Sequence, residues 1–462
     1  MFPVTKLFFF GLIIKFIYKK YIMSIKKIVF FLLLVGFQLS AQEKKWTLKE
    51  CVDYAIENNI SVKQSELDLK TSDIEKLEAI GGFLPTLSGS ANYSMNTGAS
   101  INPVTNQFQN QTFKSFSASA NSGITIFNGL ANWKTLQRSK LNKIANTYRL
   151  DKMKDDIALS VANSYLQILF NKEQLKVLIS QNSITKDNLI RTQQLIDAGS
   201  LPAGDIYELQ ATDATQQQQI ISTENALLIS KIALCQMLLI NEYTTFDVSD
   251  EILDLPLTDL SNATQQDILA KAKESVNDIK IALSNVDIAK KDVALSRSSY
   301  LPTLSGFVGY NTRWSESTPF NFTDQLSLFD GTAVGLQLNV PILNGFATRG
   351  RVQRAKINQE RSEFQLKQAE LDLESKVYQA YNDVINAKKS YEAAQKTLDA
   401  REQAYKFSKE RYEVGLLNAY DFSQSSIAFD NAQSDVLRTK YDYIFRTKIL
   451  EFYFGIPLIE KQ

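Results

Sequence analysis

Leu84-Pro85-Thr86-Leu87-Ser88-Gly89 returns further along the chain as Leu301-Pro302-Thr303-Leu304-Ser305-Gly306, an offset of 217 residues. Working outward, Phe127-Asn128-Gly129 returns as Leu343-Asn344-Gly345 at an offset of 216, and Tyr165, Gly199 and Asp205 align with Tyr381, Gly415 and Asp421 at that same offset. Landmarks in one order at a nearly fixed spacing mark a tandem duplication. The period is far too long for a solenoid, so each copy is a large supersecondary unit.

Each copy carries the same expected elements. An entry helix, about residues 47–80 and 264–299, is stopped by Leu-Pro, because proline cannot continue a helix and restricts the residue before it. Period-two alternation follows. Leu87, Gly89, Ala91, Tyr93 and Met95 interleave with Ser88, Ser90, Asn92, Ser94 and Asn96, and Phe116, Ala118, Ala120, Ile124 and Ile126 with Ser117, Ser119, Asn121 and Thr125. The second copy gives Leu304, Gly306, Val308 and Tyr310, then Val334, Leu336, Leu338, Val340 and Ile342. This predicts strands of 10–12 residues with one wet and one apolar face, over about 86–97, 114–127, 303–313 and 332–343.

After each Asn-Gly a long helix is expected. Val161, Ile168, Leu175, Asn182, Leu189 and Ile196 are seven apart, and the second copy repeats the stripe at Val377, Val384, Tyr391, Leu398, Tyr405 and Tyr412. A sustained heptad seam predicts coiled-coil packing. Leu130–Ala198 and Phe346–Val414 run without proline, enough for roughly 100 Å of helix at 1.5 Å per residue. The turns Ala198-Gly199-Ser200-Leu201-Pro202 and Val414-Gly415-Leu416-Leu417 end them, and return helices follow, completing helical hairpins over 130–241 and 346–454. Repeats over 42–262 and 263–462 result.

Composition narrows the function. The 462 residues hold 51 Lys plus Arg, 50 Asp plus Glu and no histidine. A balanced charge argues against a nucleic-acid partner, and the lack of histidine removes Ser-His-Asp and Cys-His catalysis. No phosphate-cradling G-x-x-x-x-G-K-[ST], no G-x-S-x-G and no CxxC is present. The expectation is a non-enzyme with no cofactor and no metal. Residues 1–41 read as a signal peptide region: Lys26 and Lys27 precede the apolar run Ile28–Phe37, Leu39-Ser40-Ala41 offers a cleavage site, and translation is expected to start at Met23. Cys51 and Cys235 are read as small buried hydrophobes rather than a disulfide.

The strand lengths suit a membrane β-barrel; the bland alternative is two soluble hairpins packed on the chain's own helices. In a membrane, four strands close no barrel and leave open edges, so two, three or four protomers must share eight, twelve or sixteen strands. Strand number does not choose among these. Tyr93, Phe116, Phe127, Tyr310 and Trp314 near strand ends suit interfacial girdles.

The duplicated order resembles the TolC-type outer-membrane efflux family. So do Val340-Pro341-Ile342-Leu343-Asn344-Gly345, the turn Arg411-Tyr412-Glu413-Val414-Gly415 and the closing Tyr453-Phe454-Gly455-Ile456-Pro457-Leu458. The resemblance covers nearly all of 43–460. It implies a mainly α chain whose four strands join a shared trimeric twelve-stranded β-barrel, standing on a twelve-helix periplasmic α-barrel with a mixed belt drawn from 43–60, 240–270 and the C-terminus. It implies a homotrimer in outer-membrane lipid of a Gram-negative bacterium, with Leu87, Tyr93, Val308 and Leu336 towards lipid. The implied role is a passive exit duct joined through a periplasmic adaptor (membrane fusion) protein to an inner-membrane pump; type I protein secretion is the alternative use. A soluble periplasmic coiled-coil scaffold is the alternative of another class. By the same resemblance Asp205 and Asp421, beyond the turn glycines Gly199 and Gly415, line the closed periplasmic mouth, and Tyr412 matches a latch tyrosine. From the residues alone, Asp205 and Asp421 also read as helix caps, with Asp205-x-x-Glu208 and Asp421-x-x-Gln424 as capping boxes, and Tyr412 as core. The family's further Asp and its latch Arg fall at Gln424 and Leu417 here.

Overall fold

The computed structural model describes residues 45–101, 106–250 and 264–456. The signal region and the last residues of the belt lie outside them. Among the described residues the chain divides into two compact units, one of residues 45–53, 161–250 and 418–423, the other of residues 54–160, 264–417 and 424–456.

The order of elements occurs twice: α1 (Leu48–Asn58), α2 (Ile60–Gly81), β2 (Thr86–Ile101), β3 (Phe108–Asn128), α3 (Ala131–Asp197) and α4 (Asp205–Leu238), then α5 (Gln265–Ser275), α6 (Asn277–Ser298), β5 (Thr303–Ser315), α7 (Phe322–Leu328), β6 (Gly331–Asn339), α8 (Ala347–Glu413) and α9 (Ala419–Tyr453). Before α1 comes the two-residue strand β1 (Lys45–Trp46), which pairs in parallel with β4 (Asp247–Val248), the strand that follows α4.

Each expected entry helix is broken. Asn59 takes extended backbone and its side chain accepts from the Ser61 N–H, so a new helix starts there. Val276 makes the equivalent break with φ −70° and ψ 128°. The entry helices themselves begin on capping boxes, Thr47 with Glu50 and Thr264 with Asp267.

β2, β3, β5 and β6 form one antiparallel sheet in that order, so the two halves of the chain pair through β3 and β5. β2 and β3, of 16 and 21 residues, are longer than expected. A bulge between Thr125 and Phe127 sets Phe127 opposite Leu304. β6 is shorter than expected and ends at Asn339, because Pro341 has no N–H to donate. The stretch between the expected strands 303–313 and 332–343 contains α7.

At the turn from β3 into α3, Gly129 has φ +66°, and a Cβ there would stand 2.6 Å from the Ser298 carbonyl oxygen. Asn128 accepts from the Asn132 N–H at 3.3 Å, which starts α3. The Asn-Gly pair thus supplies a cap and a turn that only glycine fits. In the same unit Ile268 and Ala272 of α5, Val276 at the break and Ile279 of α6 form a buried core with Leu373, Val377 and Ala380 of α8 and Leu450 of α9. Polar contacts flank it: Lys152 pairs with Asp278, and Asn277 Nδ2 donates to Asp155 at 2.9 Å.

Candidate functional site

Residues paired across antiparallel strands share a face, so the register fixes both sides of the sheet. Leu87, Ser122, Val308 and Val334 form one cross-strand row; Tyr93, Phe116 and Trp314 form another, and Leu336 sits beside Gly306 on the same side. That side also carries Met95, Ile124, Tyr310 and Leu338. It stands open: Leu87 is 79% exposed, Leu336 70%, Tyr93 61% and Val308 47%. The reverse side carries Ser88, Ser90, Asn92, Ser94, Ser115, Ser119, Asn121, Asn311 and Gln337. Its hydroxyls bond across strands, Ser90 with Ser119 and Ser94 with Ser115, both at 2.8 Å. Phe307 is an exception on this side. It lies over Gly335, where a Cβ would be 2.7 Å from its ring. A soluble hairpin would bury the apolar face on its own helices. Here no helix of the chain buries that face at Leu87, Tyr93, Val308 or Leu336, the polar face is open as well at Ser88, Ser90 and Asn92, and β2 and β6 leave two open edges.

The helix turns close as the glycines require. Gly199 and Gly415 have φ of +71° and +75°. The N–H groups of Gly199 and Ser200 reach the carbonyls of Ile196 and Leu195, and those of Gly415 and Leu416 reach Tyr412 and Arg411. Both are Schellman closures. Tyr412 is buried.

The capping reading of the aspartates needs correction. Asp205 is the first residue of α4, behind the N-cap Gly204, which makes no side-chain cap bond. Its carboxylate therefore faces the helix start as a charge, without closing a box. At α9 the cap is Asn418: its Oδ1 accepts from the Asp421 N–H at 2.8 Å, and its Nδ2 donates to Asp421 Oδ2 at 3.0 Å. The Asp421 carboxylate thus meets the cap side chain and makes no bond to the cap N–H, so the box stays open here too. The structure joins α4 to the first turn of α9 through a buried Thr212–Ser423 hydroxyl contact at 2.8 Å. Ser423 lies two residues past Asp421, roughly 3 Å of rise, but Thr212 lies seven past Asp205, roughly 10 Å. The joint does not set the two carboxylates at one level.

A charged cluster beside β1 and β4 went unread in the sequence. Lys172 of α3 pairs with Asp247 (3.0 Å) and Asp250; Lys231 of α4 reaches Asp247 at 3.0 Å and Lys45 reaches Asp250 at 2.6 Å. Hydrogen bonds from Lys172 and Lys45 hold the Asp250 carboxyl down at about 2. The Asp247 carboxyl is also lowered, its burial outweighed by Lys172 and Lys231. The buried Tyr165 hydroxyl lies 3.1 Å from the Ser249 carbonyl and 3.2 Å from that of Trp46, the chain on either side of the strand pair. Lys172, Asp247 and Asp250 meet only through tertiary contact, and no local spacing announces them.

Cys51 and Cys235 are buried and not joined in a disulfide; burial pushes the Cys235 thiol up to about 11. Among the described residues no cluster of His, Cys, Asp and Glu is suited to a metal ion, and no helix is long and apolar enough to cross a membrane.

The model of the family described as "Outer membrane efflux protein" matches residues 51–238 and 268–454. The chain belongs to this family. This efflux protein is 22% identical over 409 residues to the proteases secretion protein PrtF of Dickeya chrysanthemi, covering 86% of this chain and 85% of PrtF. It is 23% identical to the outer membrane protein TolC of Escherichia coli, covering 89% and 83%. Its fold is similar to the Campylobacter jejuni CmeC outer membrane channel, with TM-score 0.73 and 18% identity, covering 88% of this chain and 85% of that one. The efflux protein is a helix-rich outer-membrane exit channel, and the soluble-scaffold alternative falls.

Proposed function

We propose that three copies of this chain build one duct, each giving its four strands to a shared twelve-stranded barrel and its helical hairpins to a periplasmic tunnel of twelve helical strands. Residues 1–41 serve as export signal, and 42–262 and 263–462 as the duplicated halves. The observation that carries this reading is the open four-stranded sheet with one exposed apolar face and one polar face. Lipid covers the first, water in the pore wets the second, and neighbouring copies satisfy both edges. The duct is passive and catalyses nothing; an inner-membrane pump supplies energy through a periplasmic adaptor. Type I protein secretion is a second use of the same duct, favoured by the names of the relatives PrtF and AprF, both secretion proteins.

In this reading Asp205 and Asp421, with Gly199, Gly415 and Tyr412, form the periplasmic gate. Three copies give two tiers of carboxylates, which favour cations. The variant Asp205→Asn/Asp421→Asn should still assemble and lose cation selectivity in bilayer conductance; unchanged selectivity assigns these residues to helix starts alone.

The barrel is tested by charge. Leu336→Arg should cost about 2–4 kcal/mol near mid-bilayer and abolish outer-membrane assembly, whereas Gln337→Arg should assemble. Equal outcomes for the two variants would remove the barrel.

A further inference from the structure

Between β5 and β6 the chain folds α7, and α7 lies on the apolar face of the sheet. The Phe322 ring meets those of Phe116 and Trp314 at 5.4 and 5.6 Å. Thr312 Oγ1 donates to the Leu326 carbonyl at 2.6 Å. Phe116, Trp314 and Thr312 all share the pleat side of Leu87, Tyr93 and Val308. A buried side chain clamps this placement. Gln325 Oε1 accepts from the Ser315 N–H at 2.9 Å, while its Nε2 donates to the carbonyls of Ser315 and Phe320 at 3.1 and 2.7 Å. The clamp ties α7 to the end of β5, while Phe329, just past α7, lies with its ring 5.6 Å from the guanidinium of Arg313, a residue of the polar pleat side.

The position along the sheet is also fixed. α2, α3, α6 and α8 join the strands at one end, and α7 lies in the connection at the other. At that far end three rings, Phe116, Trp314 and Phe322, gather on the apolar side. α7 adds exposed apolar groups to them: Leu328 is 57% exposed and Phe322 44%. Thr323, Asp324 and Ser327 are exposed too, which gives the helix both an apolar and a polar surface.

We propose that α7 is an interfacial helix seated in the headgroup–acyl boundary of the outer leaflet, with lipid as the occupant of its exposed apolar surface. Its apolar surface continues the sheet face that the proposed function gives to lipid, so this inference rests on that reading. An aromatic cluster with a short amphipathic element suits that depth, where apolar bodies meet polar headgroups. The consequence for transport is geometric. Each copy holds α7 outward on the membrane, so these three helices do not arch over the exit.

The test places an environment-sensitive fluorophore on single cysteines at Leu328, Leu336 and Gln337, in the full chain reconstituted in phosphatidylcholine vesicles. Cys51 and Cys235 are buried, and the unsubstituted protein is the labelling blank. Quenching is read with acyl-brominated phosphatidylcholine and with aqueous iodide. The Leu328→Cys probe should be quenched by brominated lipid, as the Leu336→Cys probe is, with emission shifted to the blue of the Gln337→Cys probe. If Leu336→Cys responds to lipid and Leu328→Cys only to iodide, α7 is in water and the inference fails alone. A Leu328→Cys probe shielded from both quenchers makes a neighbouring copy the occupant and also overturns it. If Leu336→Cys itself is blind to brominated lipid, the barrel reading fails first.

Discussion

Inside the first helical hairpin, Asn182 of α3 donates to Asp213 of α4 at 2.7 Å. At the equivalent place in the second hairpin, 216 residues on, Phe429 of α9 stacks instead on Tyr405 of α8, rings 5.2 Å apart and 9° from parallel. The contrast runs along both interiors. Asn171 donates to the Ala226 carbonyl and to Ser230, both at 3.2 Å, whereas Tyr391 stacks on Tyr443 and Arg446 pairs with Asp383 at 2.9 Å. The first hairpin buries a second seam at Asn171, Leu178, Thr185 and Thr192, each seven apart and three of the four polar. What the two copies keep is spacing, and what they exchange is chemistry. Heptad spacing brings two helices together. A hydrogen-bonded layer adds register, since a buried partner left unmade is costly, while aromatic layers add apolar burial and a preferred ring geometry.

The largest effect should come from Asn182→Leu, which leaves Asp213 and Gln216 without the amide they face. The expected loss is about 1–3 kcal/mol in urea denaturation followed by helical circular dichroism; a neutral or stabilised variant breaks the idea that the first interior depends on hydrogen bonds. Next is the aromatic side. A double-mutant cycle on Tyr405→Leu and Phe429→Leu should give a coupling of about 0.5–1.5 kcal/mol, and zero coupling would reduce that stack to ordinary apolar contact. Smaller still, Thr212→Val should cost about 1 kcal/mol by orphaning the Ser423 hydroxyl, and adding Ser423→Ala should recover most of it. Additive losses in that pair would place the Thr212 effect elsewhere than in the joint to α9.

The smallest expected effect is the acid response of the cluster at β1 and β4. Asp250 and Asp247 have carboxyls lowered in the folded protein, so their contribution is fully present above the unfolded carboxylate range. It fades as pH falls from about 4 towards 2. Asp250 and Lys45 are 40% and 51% exposed, so solvent screens the pair. Near-ultraviolet circular dichroism of Trp46, which lies 6.0 Å from Phe246, should change over that range, and Lys172→Met should flatten the change. A change confined to higher pH would assign the acid response to other groups.

Legibility in the sequence followed the range of the interaction. The stripe from Val161 to Ile196 was visible because seven-residue spacing is a property of one helix. The polar seam beside it was missed because buried Thr185 and Thr192 look like solvated surface until a neighbour covers them. Asp205 and Asp421 carried a cap-like signal, yet Gly204 and Asn418 took the cap positions, a one-to-three-residue shift that local pattern alone does not fix. α7 was missed because Phe322–Leu328 holds itself on contacts to Ser315, Phe116 and Trp314, not on its own short periodicity.

By itself the sequence determined the long helices and the four alternating strands (though not α7 or the exact strand lengths), the glycine turns that end the long helices, and which side of each strand is apolar. All of these follow from backbone periods of 3.6 and 2 and from single-residue φ constraints, which need no distant partner. Only the tertiary structure decided that β3 pairs with β5, that β1 lies parallel to β4, that Lys172 meets Asp247 and Asp250, and that α7 lies against Phe116 on the apolar face. Each of these joins residues separated by many turns of chain. Such pairing is selected by the balance of burial, charge and closure entropy over the whole fold, and no local pattern carries that balance.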